Sequence, residues 1–402
     1  MRSLVCSLLL AAAPLASVFA LGIRIVDQDA EATARGDAFA ATADNPSAIY
    51  YNPAGITQLD GVHVTLGTYM IYLKDHFSPA GGGPSVDNTD TLQPAPQFYC
   101  TYQPSKNFPI TFGLGVYAPF GFGIQYPDNT PFRSLATEAQ LVYATVNPVA
   151  AWKICDQLSI AMGLTVNYGD VTLRRGIFTQ GDQFRFRGNG DAIGFNAGVM
   201  FQPVKWVSFG VTYRSATSII FEGHTETRVL PFAALGNDTV VHLPRENARV
   251  GIPFPQEVTF GISLRPAKDW NLEFDLDWTD WDCLKTVQLT QQSGKLFLPF
   301  NWNSSFMWET GLTHNFAYGL RGSVGYIYSE NSVPAASFNP IVPDSNRHIF
   351  SVGVGQDIKQ FSWDVAYQLA YGPDRTISNG NPADGTYRFL SHALSLTVGY
   401  HF

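Results

Sequence analysis

Carboxylates crowd one short stretch of this chain. Glu273, Asp275, Asp277, Asp280 and Asp282 fall within ten positions. Such density could bind a divalent cation, but a calcium loop needs oxygen ligands at fixed turn positions. Here Trp278 and Trp281 interrupt the run and Leu272, Phe274 and Leu276 alternate with the acids, so a strand with an acidic face is the better reading. Other chemistry is thinly supported. There is no GxSxG elbow, P-loop or GxGxxG, and Gly188-Asn189-Gly190 lacks the spacing and the strand–helix setting. The eight histidines are scattered, without zinc spacing. A Ser/His dyad carried on strands would leave no local motif, so an outer-membrane lipase stays open on this reading. No cofactor or metal is expected.

Composition narrows the class. The chain has 402 residues, a formal charge of −8, only 14% charged residues and 14% aromatics. Soluble domains carry about 25% charge. Disorder needs few aromatics, and nucleic-acid binding needs clustered Lys and Arg, so both are excluded. Residues 1–20, MRSLVCSLLLAAAPLASVFA, read as a secretory signal peptide, with a buried N-terminal helix as the bland alternative. Beyond it Cys100, Cys155 and Cys283 are odd in number and widely spaced, which speaks against a disulfide framework. No later run is long and apolar enough for a helical span. A large secreted β protein and an outer-membrane barrel remain.

Period-two alternation recurs along residues 61–402. Ile110, Phe112, Leu114 and Val116 oppose Thr111, Gly113, Gly115 and Tyr117. Ile160, Met162 and Leu164 oppose Ser159, Ala161, Gly163 and Thr165. Six short turns (Pro104–Asn107, Cys155–Gln157, Pro203–Lys205, Pro266–Asp269, His314–Phe316 and Asp357–Gln360) alternate with seven longer polar loops. Together they connect about fourteen antiparallel strands. Short turns on one rim and long loops on the other describe an all-β transmembrane barrel. The second face of each strand is small and polar rather than charged, which suits a lumen. A secreted sandwich would show a charged face.

Residues 21–60 do not alternate. Repeated Ala with Asn45-Pro46 and Asn52-Pro53 breaks suggests short helices and tight turns. A barrel this wide is not filled by its own side chains. An N-terminal helical plug, or hatch, in the lumen follows naturally; a periplasmic extension is the alternative.

The stretch Thr42–Gly55, with Asn52-Pro53-Ala54 at its end, resembles the hatch of the outer-membrane long-chain fatty acid and hydrophobic-compound transporter family (FadL/TodX-like). Pro253-Phe254-Pro255-Gln256-Glu257-Val258 is similar to a family strand entry. Ser332-Val333-Pro334, followed by Ile341-Val342-Pro343-Asp344-Ser345-Asn346-Arg347, is similar to a family loop. The motifs occur in order and the resemblance spans the mature chain. A terminal Phe402 resembles the assembly signal of outer-membrane barrels.

The resemblance implies passive uptake of fatty acids or other hydrophobic compounds across the outer membrane of a Gram-negative bacterium. Capture would occur at extracellular loops, the hatch would rearrange, and the ligand would exit sideways at a kinked third strand. Gly113, Gly115 and Pro119 are the candidates for that kink, unless they belong to an ordinary strand eased by glycine. Leu21, Ile23 and Ile25 would line an inner site, and Phe120 and Phe122 an outer groove together with Leu296–Phe300. Arg174 and Arg175 lie where the family places a basic ligand contact. Arg321 faces inward by parity. Each arginine could equally pair with an acid such as Glu273, Asp275 or Asp277. The expected partners are the hydrophobic ligand, outer-membrane lipid and lipopolysaccharide, with no nucleic acid and with a monomer as the working unit. A general diffusion porin would instead need an open lumen.

Overall fold

The computed structural model describes residues 22–89, 92–105, 108–178, 180–229 and 241–402. The signal-peptide reading of residues 1–20, and Leu21, lie outside the described residues, as does the end of the turn at Pro104–Asn107. Fourteen antiparallel strands close on themselves. They are β1 (Val62–Pro79), β2 (Leu92–Tyr102), β3 (Ile110–Tyr117 and, after a break, Gly121–Gln125), β4 (Glu138–Cys155), β5 (Leu158–Arg175) and β6 (Gln183–Val204). Strand β7 runs in two halves, Val207–Arg214 and Thr217–Val229, and β8 likewise, Glu246–Phe254 and Glu257–Leu264. Then follow β9 (Trp270–Thr279), β10 (Ser305–Asn315), β11 (Leu320–Ser329), β12 (Arg347–Ile358), β13 (Phe361–Tyr371) and β14 (Gly385–His401). Closure is made by β1 on β14, in register from His63 with His401 to Pro79 with Gly385. The first and last strands are thereby paired with each other.

Alternation becomes two faces. On β5, Met162 and Leu164 are exposed while Ser159, Thr165 and Asn167 are buried. On β9, Phe274 is exposed and Glu273, Asp275 and Asp277 are buried. In water, this continuous exposed apolar belt would be a severe aggregation surface; acyl chains remove the penalty. Trp152, Trp206, Trp270 and Tyr371 are exposed near strand ends, the position of interfacial girdles, and Tyr72 is exposed midway along β1. No described helix is long and apolar enough to cross a membrane.

The segment ahead of β1 packs against the inward faces of the wall. It holds helix α1 (Ala30–Ala34), helix α2 (Ala48–Tyr51) and a 3-10 turn, Pro53–Gln58. Asp29 caps α1 by accepting from the N–H groups of Glu31 and Ala32. Asn52 starts the 3-10 turn by accepting from Ala54 N–H, and its amide donates to Ala40 O (2.8 Å) and to Val199 O of β6 (3.0 Å). The Asn-Pro-Ala element therefore both turns the chain and ties it to the wall. Small residues let the backbones approach. A Cβ on Gly325 of β11 would lie 2.0 Å from Gly36 N, and one on Gly210 of β7 would lie 1.9 Å from Ala40 O.

Candidate functional site

Two small apolar cavities adjoin one another on the long-loop side of the hatch. The outer one, about 30 Å³, is lined by Leu135, Phe184, Phe186 and Leu296, with Arg174 and Arg175 at its rim. The deeper one, about 40 Å³, is lined by Phe122, Leu141, Val171, Val287 and Trp302, with Ile23 among them. Leu173, Leu298 and Ile341 line both, so the two form one track. Below the track lies an aromatic floor. Phe120 meets Tyr143, Phe254 and Trp281 at ring separations of 5.2, 5.1 and 6.1 Å, and Trp281 meets Trp302 at 4.9 Å. Small-molecule sites span roughly 300 Å³ or more. A ligand that fills this track must therefore displace side chains or the segment at its base.

That segment is the start of the hatch, and it is hydrogen-bonded into a defect in the wall. Both halves of β3 pair with β4, yet residues 118–120 between them leave the ladder. Pro119 lacks the N–H a continuous ladder would require. The N-terminal chain takes up the loose groups instead. Ile25 N–H donates to Pro119 O at 2.8 Å, and Gly121 N–H donates to Ile23 O at 2.8 Å. Arg24 and Phe120 form an isolated antiparallel bridge between these bonds. On its other side, β2 pairs with β3 only from Phe98 to Tyr102; Leu92 to Gln97 have β1 as their partner and none in β3.

Charge fixes the same segment from the far wall. The Arg24 guanidinium donates to Asp277 at 2.6 and 2.8 Å and to Thr279 at 2.9 Å, and pairs with Glu257 at 3.1 Å. Burial opposes the charge on Arg24, but Asp277 and Glu257 outweigh it and hold its pKa above the ordinary value. Next along β9, Asp275 accepts from Phe39 and Ala40 N–H at 2.9 and 2.8 Å, and Glu273 accepts from Ala41 and Thr42 N–H at 2.7 and 3.1 Å. The acidic strand is thus a row of acceptors for hatch donors. Burial, with Glu31 adding to it, pushes the Asp29 carboxyl up to about 6 despite hydrogen bonds from Asn45 and the α1 backbone.

The residues singled out in the sequence separate into groups. Ile23, Phe120, Phe122 and Arg175 come together at the track and its floor. Ile25 is buried in a neighbouring cluster with Ile71 and Ala118. Arg174 pairs with Glu138 at 3.0 Å, while Arg175 stacks 5.6 Å from the Phe184 ring. Arg321 lies elsewhere, beside the short turns, paired with Asp364 (2.6 Å), Asp357 (2.8 Å) and Glu31 (3.6 Å). Gly113 and Gly115 sit in the regular part of β3, ahead of the break. A Cβ there would meet Ile49 of the hatch at 2.8 and 2.9 Å, so these glycines make room for α2. Pro119 alone of the three occupies the break. Sequence reasoning missed Arg24, whose partners lie more than 230 positions away. It also missed the tie between Gly22 N–H and Asp344 at 3.3 Å, where Asp344 is held by Arg347 at 2.9 Å. Two of the motifs quoted above contain Glu257 and Asp344, and both reach the hatch start.

A model of the family described as outer membrane protein transport protein (OMPP1/FadL/TodX) matches residues 9–402. A putative outer membrane protein of Neisseria meningitidis serogroup B is 26% identical over 448 residues, covering 96% of this chain and 95% of the relative. A long-chain fatty acid transport protein of Escherichia coli is 21% identical over 402 residues, covering 90% and 89%. The crystal structure of a Pseudomonas aeruginosa FadL homologue superposes with a TM-score of 0.83 at 16% identity, over 95% of this chain and 100% of that one.

Proposed function

The chain belongs to the outer membrane protein transport protein family (OMPP1/FadL/TodX), outer-membrane transporters of hydrophobic compounds and not enzymes, and on that premise we propose a passive, lateral uptake route for fatty acids or hydrocarbons. The ligand enters the outer cavity from the extracellular loops. It moves along the shared Leu173–Leu298–Ile341 lining, and the hatch start yields to make room for it. It then leaves sideways through the break in β3, next to the stretch of β2 that has no β3 partner. Each buried CH₂ favours apolar surroundings by about 0.8 kcal/mol, so a path that never crosses a water column keeps the barrier low. Arg175 at the rim would receive a carboxylate head, and the rest of the track suits an uncharged tail or ring. Because the sheet closes on itself, one chain is the transport unit.

The observation that carries this reading is that one short segment, Ile23–Ile25, both borders the deeper cavity and supplies the hydrogen bonds that close the wall at Pro119 and Gly121. Filling the cavity and opening the wall are then one event. Arg24 and Phe120 face each other as a non-hydrogen-bonded pair, where Cα atoms sit about 4.5 Å apart, a separation a disulfide can span. Whole-cell uptake of labelled oleate and toluene by Arg24→Cys/Phe120→Cys would be measured with and without reductant. Uptake should stop in the oxidised form and return on reduction. Unchanged uptake with the crosslink formed would overturn the lateral route.

A further inference from the structure

Apart from the transport path, the outer face of the barrel carries an unbalanced basic patch at the extracellular ends of β6, β7 and β8. Parity assigns the face. Phe186, Phe221 and Thr225 are buried toward the lumen, whereas Ile193 and Ile220 are exposed on the outer wall at 69% and 56%. Arg185 and Arg187 share the outward side with Ile193, and His224 and Glu226 share it with Ile220. The register sets Arg187 opposite His224 and Arg185 opposite Glu226. With Arg245 they line a cavity of about 330 Å³.

Charge and height say what this cavity suits. It holds three arginines and one glutamate. Glu226 is shared between Arg245 and His224, and Asp170 lies 3.8 Å from Arg187. Arg174 and Glu138, the outward neighbours of Arg185 on β5 and β4, are satisfied by each other. The Arg185 Nε is buried with no hydrogen-bond partner among the described residues. Two other outward basic groups have their own acids, Lys74 with Asp87 and Arg388 with Asp374. His224 lies four residues beyond Ile220 and Arg187 six beyond Ile193, so at about 3.3 Å per residue and a tilt near 40° the patch stands about 10–15 Å above the belt residues. That is the level of headgroups, and in a chain of net charge −8 the local excess of guanidinium is specific.

We propose that this cavity binds the phosphorylated saccharide headgroup of an outer-leaflet glycolipid, with Arg185, Arg187 and Arg245 gripping its phosphates. Guanidinium forks match phosphate oxygens in pairs, and the neighbouring apolar wall takes the acyl chains of the same molecule. The ligand is a lipid and not free phosphate, because only a lipid uses both surfaces.

Native mass spectrometry of the detergent-purified full chain tests this, with bisphosphorylated hexa-acyl lipid A as the probe. Dephosphorylated lipid A, phosphatidylglycerol and inorganic phosphate are the comparison arms. Arg185→Gln/Arg187→Gln/Arg245→Gln should bind the bisphosphorylated probe at least tenfold more weakly. Lys74→Gln/Arg388→Gln should change binding less than twofold. Inorganic phosphate at millimolar concentration should not compete. Should the triple variant fail to assemble, the half-exposed single change Arg187→Gln should still weaken binding about threefold. Equal binding of the dephosphorylated lipid or of phosphatidylglycerol, competition by inorganic phosphate, or no difference between triple and control variants would each overturn the proposal.

Discussion

Arg24 and Asp277, 253 positions apart, are joined by two hydrogen bonds of 2.6 and 2.8 Å inside the barrel. Both side chains are only 4% exposed. Glu257 completes the clamp, and together they hold the segment that closes the wall at Pro119.

Removing the cation takes the ionic partner from buried Asp277 and leaves Glu257 with Arg214 at 3.5 Å. Breaking a buried pair from one side costs about 3–5 kcal/mol. Arg24→Ala should therefore free the hatch start, while the barrel ladder, which does not use Arg24, stays intact on heat-modifiability gels. Hydrogen exchange is the check: the Ile25 and Gly121 amides should lose protection by at least 100-fold. Protection at the wild-type level would show that the clamp does not hold the segment.

Close approach of backbones predicts a different failure. Gly325→Ala places a Cβ where Gly36 N lies 2.0 Å away. Neither backbone can yield by a few tenths of an ångström, so the hatch should be displaced. Planar-bilayer conductance should rise several-fold and residues near Gly36 should become protease-sensitive. A conductance equal to wild type would count against a tightly seated hatch.

Arg175 should discriminate by charge. Its Nε is buried without a hydrogen-bond partner among the described residues, and it faces the outer cavity. Arg175→Leu should lower oleate uptake about tenfold and leave toluene uptake within twofold. Val171→Trp, which fills the deeper cavity, should reduce both. Equal losses of oleate and toluene in Arg175→Leu would remove the arginine from head-group recognition.

Burial of Asp29 sets a pH dependence. Its folded pKa of about 6 lies above the ordinary 3.8, so the docked hatch binds a proton that the released hatch gives up between those values. Docking is then strongest below about pH 4 and weakens as pH rises through about 6, by at most about 3 kcal/mol. Asn caps a helix as well as Asp does. Asp29→Asn should keep α1 and flatten the change in hatch protease resistance between pH 4 and pH 7. An unchanged pH profile would place the dependence in other groups.

Much of the architecture was legible in order along the chain. Period two is a local property, so Met162 against Ser159, or Phe274 against Asp275, already says which side faces acyl chains. Turn and loop lengths are local too, and they yielded fourteen strands. Ala-rich residues broken by Asn52-Pro53 indicated a compact element ahead of the first strand. The nature of the three acids on β9 was half visible: parity made them inward, but nothing local said that Asp275 and Glu273 receive hatch amides.

What only the folded chain decided is which distant groups meet. Gly113 and Gly115 look like a kink in the sequence and turn out to be clearance for Ile49, because a missing Cβ serves a bend and a close neighbour equally well. Arg321 has the right parity for a lumen ligand, but its height on the wall places it among Asp364, Asp357 and Glu31. Arg24 carries no signal of its own. Its importance arises because barrel closure brings Glu257, Asp277 and the break at Pro119 around one short segment, where burial makes breaking the pairing of Arg24 with both acids costly.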